Sequence, residues 1–379
     1  MIVRFIVFFG TFLTVFGGSH WLVGSRLVAL LGLTGTARSA VWFGLLALGL
    51  SSVAGQFLSH SGAKDSPWSD ALYWVGFTWM GFLMLLFFAA VAGDLVWLVG
   101  RIPGIPEAIV HFVRAGLLGL AVVGGIVGIR TALSDPSIHE VVVKIPDLPQ
   151  AFDGYRIAQI TDTHIGPTLR RAWVERLVQR VDSANADLVV HTGDFVDGPV
   201  SRMAVHVEPF NKLYGRDGVL FVTGNHESYS GLKAWSDHAV SLGFNVLLNS
   251  HVVITRGSEH LVVAGVTDLH EGQFLPDRRP DATKAFAGSP VGTRILLAHQ
   301  PVQAKAAQGL HIALQLSGHT HGGQIWPFHY LVKLAQPVVS GFGRVGDVLV
   351  FVSNGAGYWG PPMRLFAPPE VPILVLKRG

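Results

Sequence analysis

The chain changes character about a third of the way along its length. The first 133 residues contain four long apolar runs, each about 20 residues long, which is enough for an α-helix to cross roughly 30 Å of hydrocarbon. Trp or Tyr lies near several of their ends, as is typical of membrane interfaces. No small-residue cleavage site follows the first run, so we interpret it as a span rather than a signal peptide. The runs occupy residues 5–23, 40–58, 71–93 and 109–129.

Beyond residue 150 the apolar runs become shorter and alternate with polar loops, a pattern typical of β-strands. Residues 169–184 place Trp173, Leu177 and Val181 on one face of a helix. Strands that alternate with helices predict an α/β domain with a parallel or mixed sheet. The predicted strands are residues 155–160, 187–191, 219–223, 261–266, 294–298, 312–316, 348–352 and 373–376.

Prolines punctuate the stretch between these two regions. Pro136, Pro146 and Pro149 interrupt any long helix or central strand there, so we interpret the stretch as a connector. The sequence therefore predicts three parts, which are a transmembrane region at residues 1–133, a connector at 134–151 and an α/β domain at 152–379.

The composition supports a membrane protein. Half of the 379 residues are hydrophobic and 14% are charged, against about 25% charged in an average soluble protein. After residue 133 the charges balance at 21 basic and 21 acidic residues, so no basic surface suggests nucleic-acid binding. There are no cysteines, which excludes disulfides, thiolate metal sites and a cysteine nucleophile. Basic residues divide evenly between the two sides of a four-span topology, so the positive-inside rule leaves its orientation open.

Side chains that can bind metal ions follow five of the predicted strands. In open α/β sheets, ligands bind beyond the carboxyl ends of the strands, so we expect these side chains to lie close together. Carboxylate, amide and imidazole groups suit Mn, Fe, Zn or Mg. One ion cannot use all of them, whereas two ions that share a carboxylate can, and two metals form a known hydrolytic site for phosphorus. The residues are Asp162, His164, Asp194, Asp197, Asn225, His226, His299, His319 and His321.

The motifs that carry these residues also resemble a known family. They are Asp-x-His at 162–164, Gly-Asp-x-x-Asp at 193–197, Gly-Asn-His-Glu at 224–227, the lone His299 and Gly-His-Thr-His at 318–321. Together, in this order, they are similar to the calcineurin-like metallophosphoesterase superfamily. The strings at 317–324 and 360–370 resemble its YkuE-like branch, which includes membrane-anchored members. The resemblance implies an α/β/β/α sandwich with mixed sheets after the four transmembrane helices.

The resemblance also implies a role for each residue at the site. His226 would face the scissile phosphate or its leaving oxygen, and Asp197 would favour the charged form of that histidine. Protein phosphatases of the superfamily have an arginine after this aspartate, whereas this chain has Gly198, which counts against a phosphoprotein substrate. Two divalent ions would be bound by Asp162, His164 and His321 and by Asn225, His299 and His319, with Asp194 bridging them.

The reaction implied is hydrolysis of a phosphodiester, phosphomonoester or pyrophosphate by a hydroxide that bridges the metals. Candidate substrates include a lipid-linked phosphate, and the partners expected are the bilayer and this substrate, with no nucleic acid and no obligate protein partner. The protein would be integral to a bacterial inner membrane. Alternatives are an inactive scaffold or binding module with this fold, which predicts gaps in the ligand set, and a transporter, which predicts intramembrane charges.

Two further segments leave alternatives open. Residues 325–334, after the last predicted ligand, are rich in aromatic and aliphatic residues with a single charge. They either pack into the domain core or touch the bilayer, where Trp and Tyr are favoured. Asp268 and His270 follow another strand, and we expect an exposed loop there unless these residues approach the cleft.

Overall fold

The computed structural model describes residues 2–60 and 66–379. The chain forms two compact units. The first comprises residues up to 130 together with 360–363, and the second comprises residues 131–359 and 364–379.

The first unit is helical. Ser66 caps the third helix by accepting a hydrogen bond from the backbone N of Ser69 at 3.1 Å, and Pro67 fills the first turn, where no amide donor is needed. Its helices are α1 Ile2–Leu30, α2 Gly35–His60, α3 Pro67–Val99 and α4 Glu107–Ala132.

Three of these helices are long and apolar enough to cross a membrane, at Gly35–Leu58, Pro67–Val99 and Glu107–Ala132. They include the segments predicted as spans at 40–58, 71–93 and 109–129. The predicted span at 5–23 lies within α1, but the side chains of residues 1–9, 12 and 13 are outside the described part of the chain. That fourth span therefore stays a prediction.

Small residues bring α2 and α3 close together. A Cβ atom at Gly76 would lie 2.6 Å from the backbone of Ser51 and Ser52, and the Ser52 hydroxyl donates to the Gly76 carbonyl at 2.8 Å. Close backbone approach of this kind is typical of helix packing in membranes. Between α1 and α3, the Arg26 guanidinium donates two short hydrogen bonds to the Asp94 carboxylate, at 2.7 and 2.8 Å.

The second unit contains two six-stranded sheets, ordered β1-β12-β2-β3-β4-β5 and β10-β11-β9-β8-β7-β6. Each contains parallel and antiparallel pairs, which confirms an α/β domain with mixed sheets. The strands are β1 Ser137–Ile145, β2 Arg156–Ile160, β3 Leu188–His191, β4 Val219–Phe221, β5 Asn245–Val246, β6 Ser250–Arg256, β7 Glu259–Gly265, β8 Thr293–Leu297, β9 Ile312–Ser317, β10 Gly341–Val345, β11 Val348–Val352 and β12 Glu370–Arg378. The helices are α5 Arg171–Asp182, α6 Val200–Val207, α7 Asn225–Ser230, α8 Leu232–Ser241, α9 Glu271–Phe274, α10 Ala282–Phe286 and α11 His329–Ala335.

Three hydrophobic cores separate the layers of this unit. Successive residues of a strand point to opposite faces: Ile157 lies in the core between the two sheets, and Ala158 lies in the core beneath α5. A third core holds Phe286 of α10 against the outer face of the second sheet. Strands buried on both faces in this way explain why the predicted runs were continuously apolar.

The segment predicted as a connector, 134–151, instead supplies an edge strand. Strand β1 pairs in parallel with β12 from Ser137–Glu370 to Ile145–Arg378. Its burial is partial, with five exposed positions out of nine, and prolines precede and follow it, so its sequence lacks the continuous apolar run of the central strands. Only residues 133–136 separate α4 from β1.

Candidate metal centre

The predicted ligands lie in loops at the carboxyl ends of β2, β3 and β4 in one sheet and of β8 and β9 in the other. A contact between the two sets of loops joins the sheets at this edge. The carboxylate Oδ2 of Asp194, after β3, lies 3.1 Å from Nε2 of His299, after β8. The residues that follow the five predicted strands therefore line one cleft.

The first group of potential ligands is Asp162, His164 and His321, whose donor atoms all lie within 4.8 Å of one another. The Nε2 atoms of His164 and His321 are 3.0 Å apart, and Nε2 of His321 is 3.4 Å from Oδ1 of Asp162. All three side chains are buried. Two ring nitrogens and a carboxylate that converge in a buried site would be stabilised by a cation between them.

The second group is Asp194, His299 and His319, which converge within the same limit. Oδ2 of Asp194 also lies 3.7 Å from Nε2 of His164, so one carboxylate oxygen is near both groups. Asn225, at the start of α7, has a buried side-chain oxygen with no hydrogen-bond partner. Buried polar atoms are almost always satisfied, and a cation would satisfy this one.

A third group centres on Asp197, which contacts two histidines. Its Oδ1 accepts from Nδ1 of His226 at 2.6 Å and from Nδ1 of His164 at 3.0 Å. These hydrogen bonds place a proton on Nδ1 of each ring and leave Nε2 as the free atom. The sequence predicted Asp197 as a partner of His226 alone. Its contact with His164 was missed because a motif shows no tertiary distance.

Burial and neighbouring charges set the protonation of the two cleft histidines after β9. Burial, with the neighbouring His299, lowers the pKa of His319 to about 4. Burial, with His164 and Arg364, lowers the pKa of His321 well below its usual range. Both imidazoles are therefore neutral at physiological pH, which is the form that binds metal.

Neighbouring carboxylates raise the pKa of His226, whereas the pKa values of His319 and His321 are lowered. Burial alone would lower its pKa, but Asp194 and Asp197 outweigh burial and raise the pKa to about 9. Burial would raise the pKa of Asp197, but His164 and His226 lower it below the ordinary value. The pair is therefore an imidazolium held by a carboxylate.

Five of the predicted site residues have a strained, left-handed backbone conformation. Left-handed φ values in residues other than glycine cost on the order of 1–3 kcal/mol each and cluster at functional sites. Backbone hydrogen bonds between loops hold them, including Asp162 N to Gly193 O at 3.0 Å and His164 N to Asp194 O at 3.2 Å. Among the predicted site residues, those with φ between 44° and 68° are Asp162, His164, Asp194, His319 and His321.

Two glycines make room for the aspartates. A Cβ atom at Gly318 would lie 2.1 Å from Oδ2 of Asp162, and one at Gly224 would lie 2.3 Å from Oδ1 of Asp194. Both contacts are far closer than carbon and oxygen tolerate. The glycines of these motifs are therefore required by the approach of a carboxylate.

Glu227 organises two of the loops, a role that the sequence did not reveal. Its buried carboxylate accepts from the backbone N of Gly224 at 2.6 Å, of Asp194 at 3.1 Å and of Phe195 at 2.8 Å. It thereby fixes the loop after β3 to the loop after β4. The available signal was its position three residues after Gly224, a spacing that lets a side chain return to the backbone at a helix start.

Arg364 has a similar role behind His321. Its fully buried guanidinium donates to the carbonyls of Gly357, Asn354 and Ala367, at 2.7, 2.8 and 2.9 Å. Its Nη2 lies 3.2 Å from Nδ1 of His321. From the sequence, the segment 360–370 indicated only a branch of the family. In the structure, Arg364 of this segment holds the loops behind His321.

Burial bears on two loops for which the sequence left alternatives open. Asp268 is fully buried rather than exposed, and it accepts from Nδ1 of His270 at 3.0 Å and from Nε2 of Gln300 at 2.8 Å. In the segment 325–334, Trp326, Phe328 and Tyr330 are 46%, 40% and 58% exposed. These three side chains do not pack into the domain core.

Comparisons with known proteins agree with this geometry. Residues 155–323 match the family described as calcineurin-like phosphoesterase. The chain is 34% identical over 357 residues to the transmembrane protein with metallophosphoesterase domain of Danio rerio, covering 89% of this chain and 81% of that one. It is 32% identical to an uncharacterized metallophosphoesterase of Campylobacter jejuni, covering 83% and 84%, and 29% identical to the uncharacterized metallophosphoesterase YkuE of Bacillus subtilis, covering 63% and 84%.

Proposed function

The chain belongs to the calcineurin-like phosphoesterase family, and we propose that it is a membrane phosphoesterase that hydrolyses a phosphate ester or pyrophosphate with two divalent metal ions. The observation that carries this proposal is the position of Asp194, whose Oδ2 lies 3.1 Å from His299 and 3.7 Å from His164. One carboxylate near two separate donor groups is the arrangement that a shared ligand requires.

The donor set fits the two ions. Asp162, His164 and His321 would hold one, and Asn225, His299 and His319 the other, with Asp194 shared between them. Oxygen and imidazole ligands without sulfur suit Mn, Fe, Zn or Mg. An inactive scaffold would be expected to lack some of these ligands, whereas each position predicted from the sequence carries a competent donor.

When bound, the two ions would lower the pKa of a water molecule and offset the charge of the phosphoryl group. His226 would donate a hydrogen bond or proton to the phosphate or to its leaving oxygen. Asp197 supports that role by accepting from Nδ1 of His226 at 2.6 Å, which orients the ring and leaves Nε2 for the substrate. Because Asp197 also orients His164, it would couple the proton donor to a metal ligand.

We also infer that the substrate is lipid-linked. The three apolar helices are long enough to anchor the chain in a membrane. Trp326, Phe328 and Tyr330 are exposed, and aromatic residues of these types are favoured at membrane interfaces. These residues would contact the interface while the phosphate of a bilayer lipid enters the cleft. Because the relatives include proteins of animals and of bacteria, a bacterial inner membrane remains a proposal for the location.

The direct test uses the full chain in detergent micelles, with bis(p-nitrophenyl) phosphate as a soluble substrate. We expect hydrolysis that requires added Mn²⁺, that is lost with a chelator and that returns when metal is restored. Hydrolysis without any metal requirement would contradict the proposed mechanism. A metal-loaded protein that hydrolyses neither this ester nor a phospholipid in vesicles would favour the scaffold alternative.

A further inference from the structure

Two exposed aromatic side chains border the imidazole of His226. The ring of Trp359 is centred 5.8 Å from it, and the ring of Tyr229 is centred 5.5 Å from it. Both meet the imidazole edge-on, at interplanar angles of 75° and 71°. Trp359 is 54% exposed and Tyr229 is 51% exposed, so their free faces are open to solvent beside the proposed proton donor.

Trp359 is held in this position although it is not buried. Its backbone N donates to Oε1 of Gln324 at 3.0 Å, and Nε2 of Gln324 donates to its carbonyl at 2.8 Å. Gln324 follows the proposed ligand His321 by three residues. The same loop that supplies a ligand therefore fixes the tryptophan backbone. Core packing does not account for a large apolar side chain that is more than half exposed, whereas a binding surface does.

Tyr229 is placed by a different element. It lies one helical turn after Asn225 on α7, and residues four apart share a face of a helix. Tyr229 therefore lies on the same face of α7 as a proposed metal ligand. Two independent elements thus bring aromatic rings to the same histidine.

We propose that Trp359 and Tyr229 form a subsite that binds a cyclic group attached to the reacting phosphate, either a sugar ring or an aromatic ring. An aromatic ring would stack on these side chains, and a sugar ring would pack the C–H groups of its less polar face against them. The subsite would favour phosphate esters of cyclic groups over esters of linear alcohols. This inference rests on the proposed function, because it requires the phosphate to lie at the metal ligands beside His226.

The subsite can be tested by competitive inhibition of bis(p-nitrophenyl) phosphate hydrolysis by the full-length, Mn²⁺-loaded protein. The probes are phenyl phosphate, glucose 1-phosphate and ethyl phosphate, which share the phosphate and differ in the attached group. We expect at least one cyclic probe to bind about three- to tenfold more tightly than ethyl phosphate to the wild-type protein, as one or two stacking contacts would give. Preference for glucose 1-phosphate would identify a sugar, and preference for phenyl phosphate an aromatic ring.

The variants Trp359→Leu and Tyr229→Leu should reduce this ratio to less than twofold, while the inhibition constant of ethyl phosphate changes much less. Trp359→Phe and Tyr229→Phe keep a ring and should retain most of the preference, which separates loss of the ring face from loss of the indole N–H or the phenol hydroxyl. Tyr214→Leu is the matched control, because Tyr214 is 70% exposed and has no place in the proposed subsite.

Unchanged ratios in both leucine variants, with turnover and metal content retained, would overturn the subsite and leave the proposed function intact. Equal weakening of all three probes would also overturn it, because the variants would then have damaged phosphate binding in general. A wild-type protein that holds no metal and hydrolyses no phosphate ester would overturn both proposals.

Discussion

At the scale of single residues, Asp197 contacts two histidines for which we propose different functions. It accepts from His226, the proposed proton donor, and from His164, a proposed metal ligand. Loss of His226 should therefore affect turnover alone, whereas loss of the Asp197 charge should affect both turnover and metal affinity. The family resemblance implied the first contact, between residues 29 apart, and did not imply the second, between residues 33 apart.

We predict that His226→Ala lowers kcat about 100-fold or more, the usual contribution of a positioned proton donor, and leaves metal content unchanged. Asp197→Asn should lower kcat as well and should weaken binding of one ion by about 10- to 100-fold, as loss of support for a ligand does. Turnover assays and metal titration measure these effects, with His238→Ala as a control outside the cleft. Loss of metal in His226→Ala would show that the histidine is a ligand and not a proton donor.

Glu227 gives a second prediction at this scale. Its carboxylate accepts from three backbone amides that position the loops after β3 and β4. Glu227→Gln keeps the size of the side chain but replaces an acceptor oxygen with a donor, so at least one buried amide loses its partner. We expect a loss of about 2 kcal/mol of stability, seen as a lower Tm. An unchanged Tm with full metal content would show that these hydrogen bonds are not needed to form the site.

At the scale of elements, the sequence revealed the strands that are buried on both faces and missed those that are not. Each predicted strand overlaps an observed one, because a continuous apolar run is visible without tertiary information. Strands β1, β5, β6 and β10 were missed, since they carry exposed positions and lack a continuous apolar run. The position of the cleft residues after their strands was also predictable. The left-handed backbone conformation of five of them could not be predicted from the sequence.

The exposed aromatic residues of the segment 325–334 yield a prediction that concerns the membrane. Changing Trp326 and Phe328 together to Ser should lower hydrolysis of a vesicle-presented phospholipid or lipid-linked phosphate several-fold, because apolar contact with the interface is lost. Hydrolysis of bis(p-nitrophenyl) phosphate should be unaffected. Tyr214→Ser serves as the exposed control. Equal loss on both kinds of substrate, with a lowered Tm, would show that these side chains stabilise the domain and do not contact lipid.

At the scale of the whole molecule, the division into an apolar helical part and an α/β domain followed from the uneven distribution of charge. The position of the boundary between them could not be predicted in this way, because β1 belongs to the sheet through its pairing with β12 near the other end of the sequence. The consequence is a link of four residues after α4, shorter than the predicted connector.

The central claim is that one carboxylate serves two metal ions, and the metal content of Asp194→Asn tests it most directly. The full-length wild-type protein, purified with Mn²⁺ and analysed by inductively coupled plasma mass spectrometry, should hold about two ions per chain. Asp194→Asn should lower the occupancy of both ions, to less than one per chain in total, because the shared negative charge is removed from both sites. Retention of two ions by Asp194→Asn, or a wild-type protein that binds only one, would contradict the shared site.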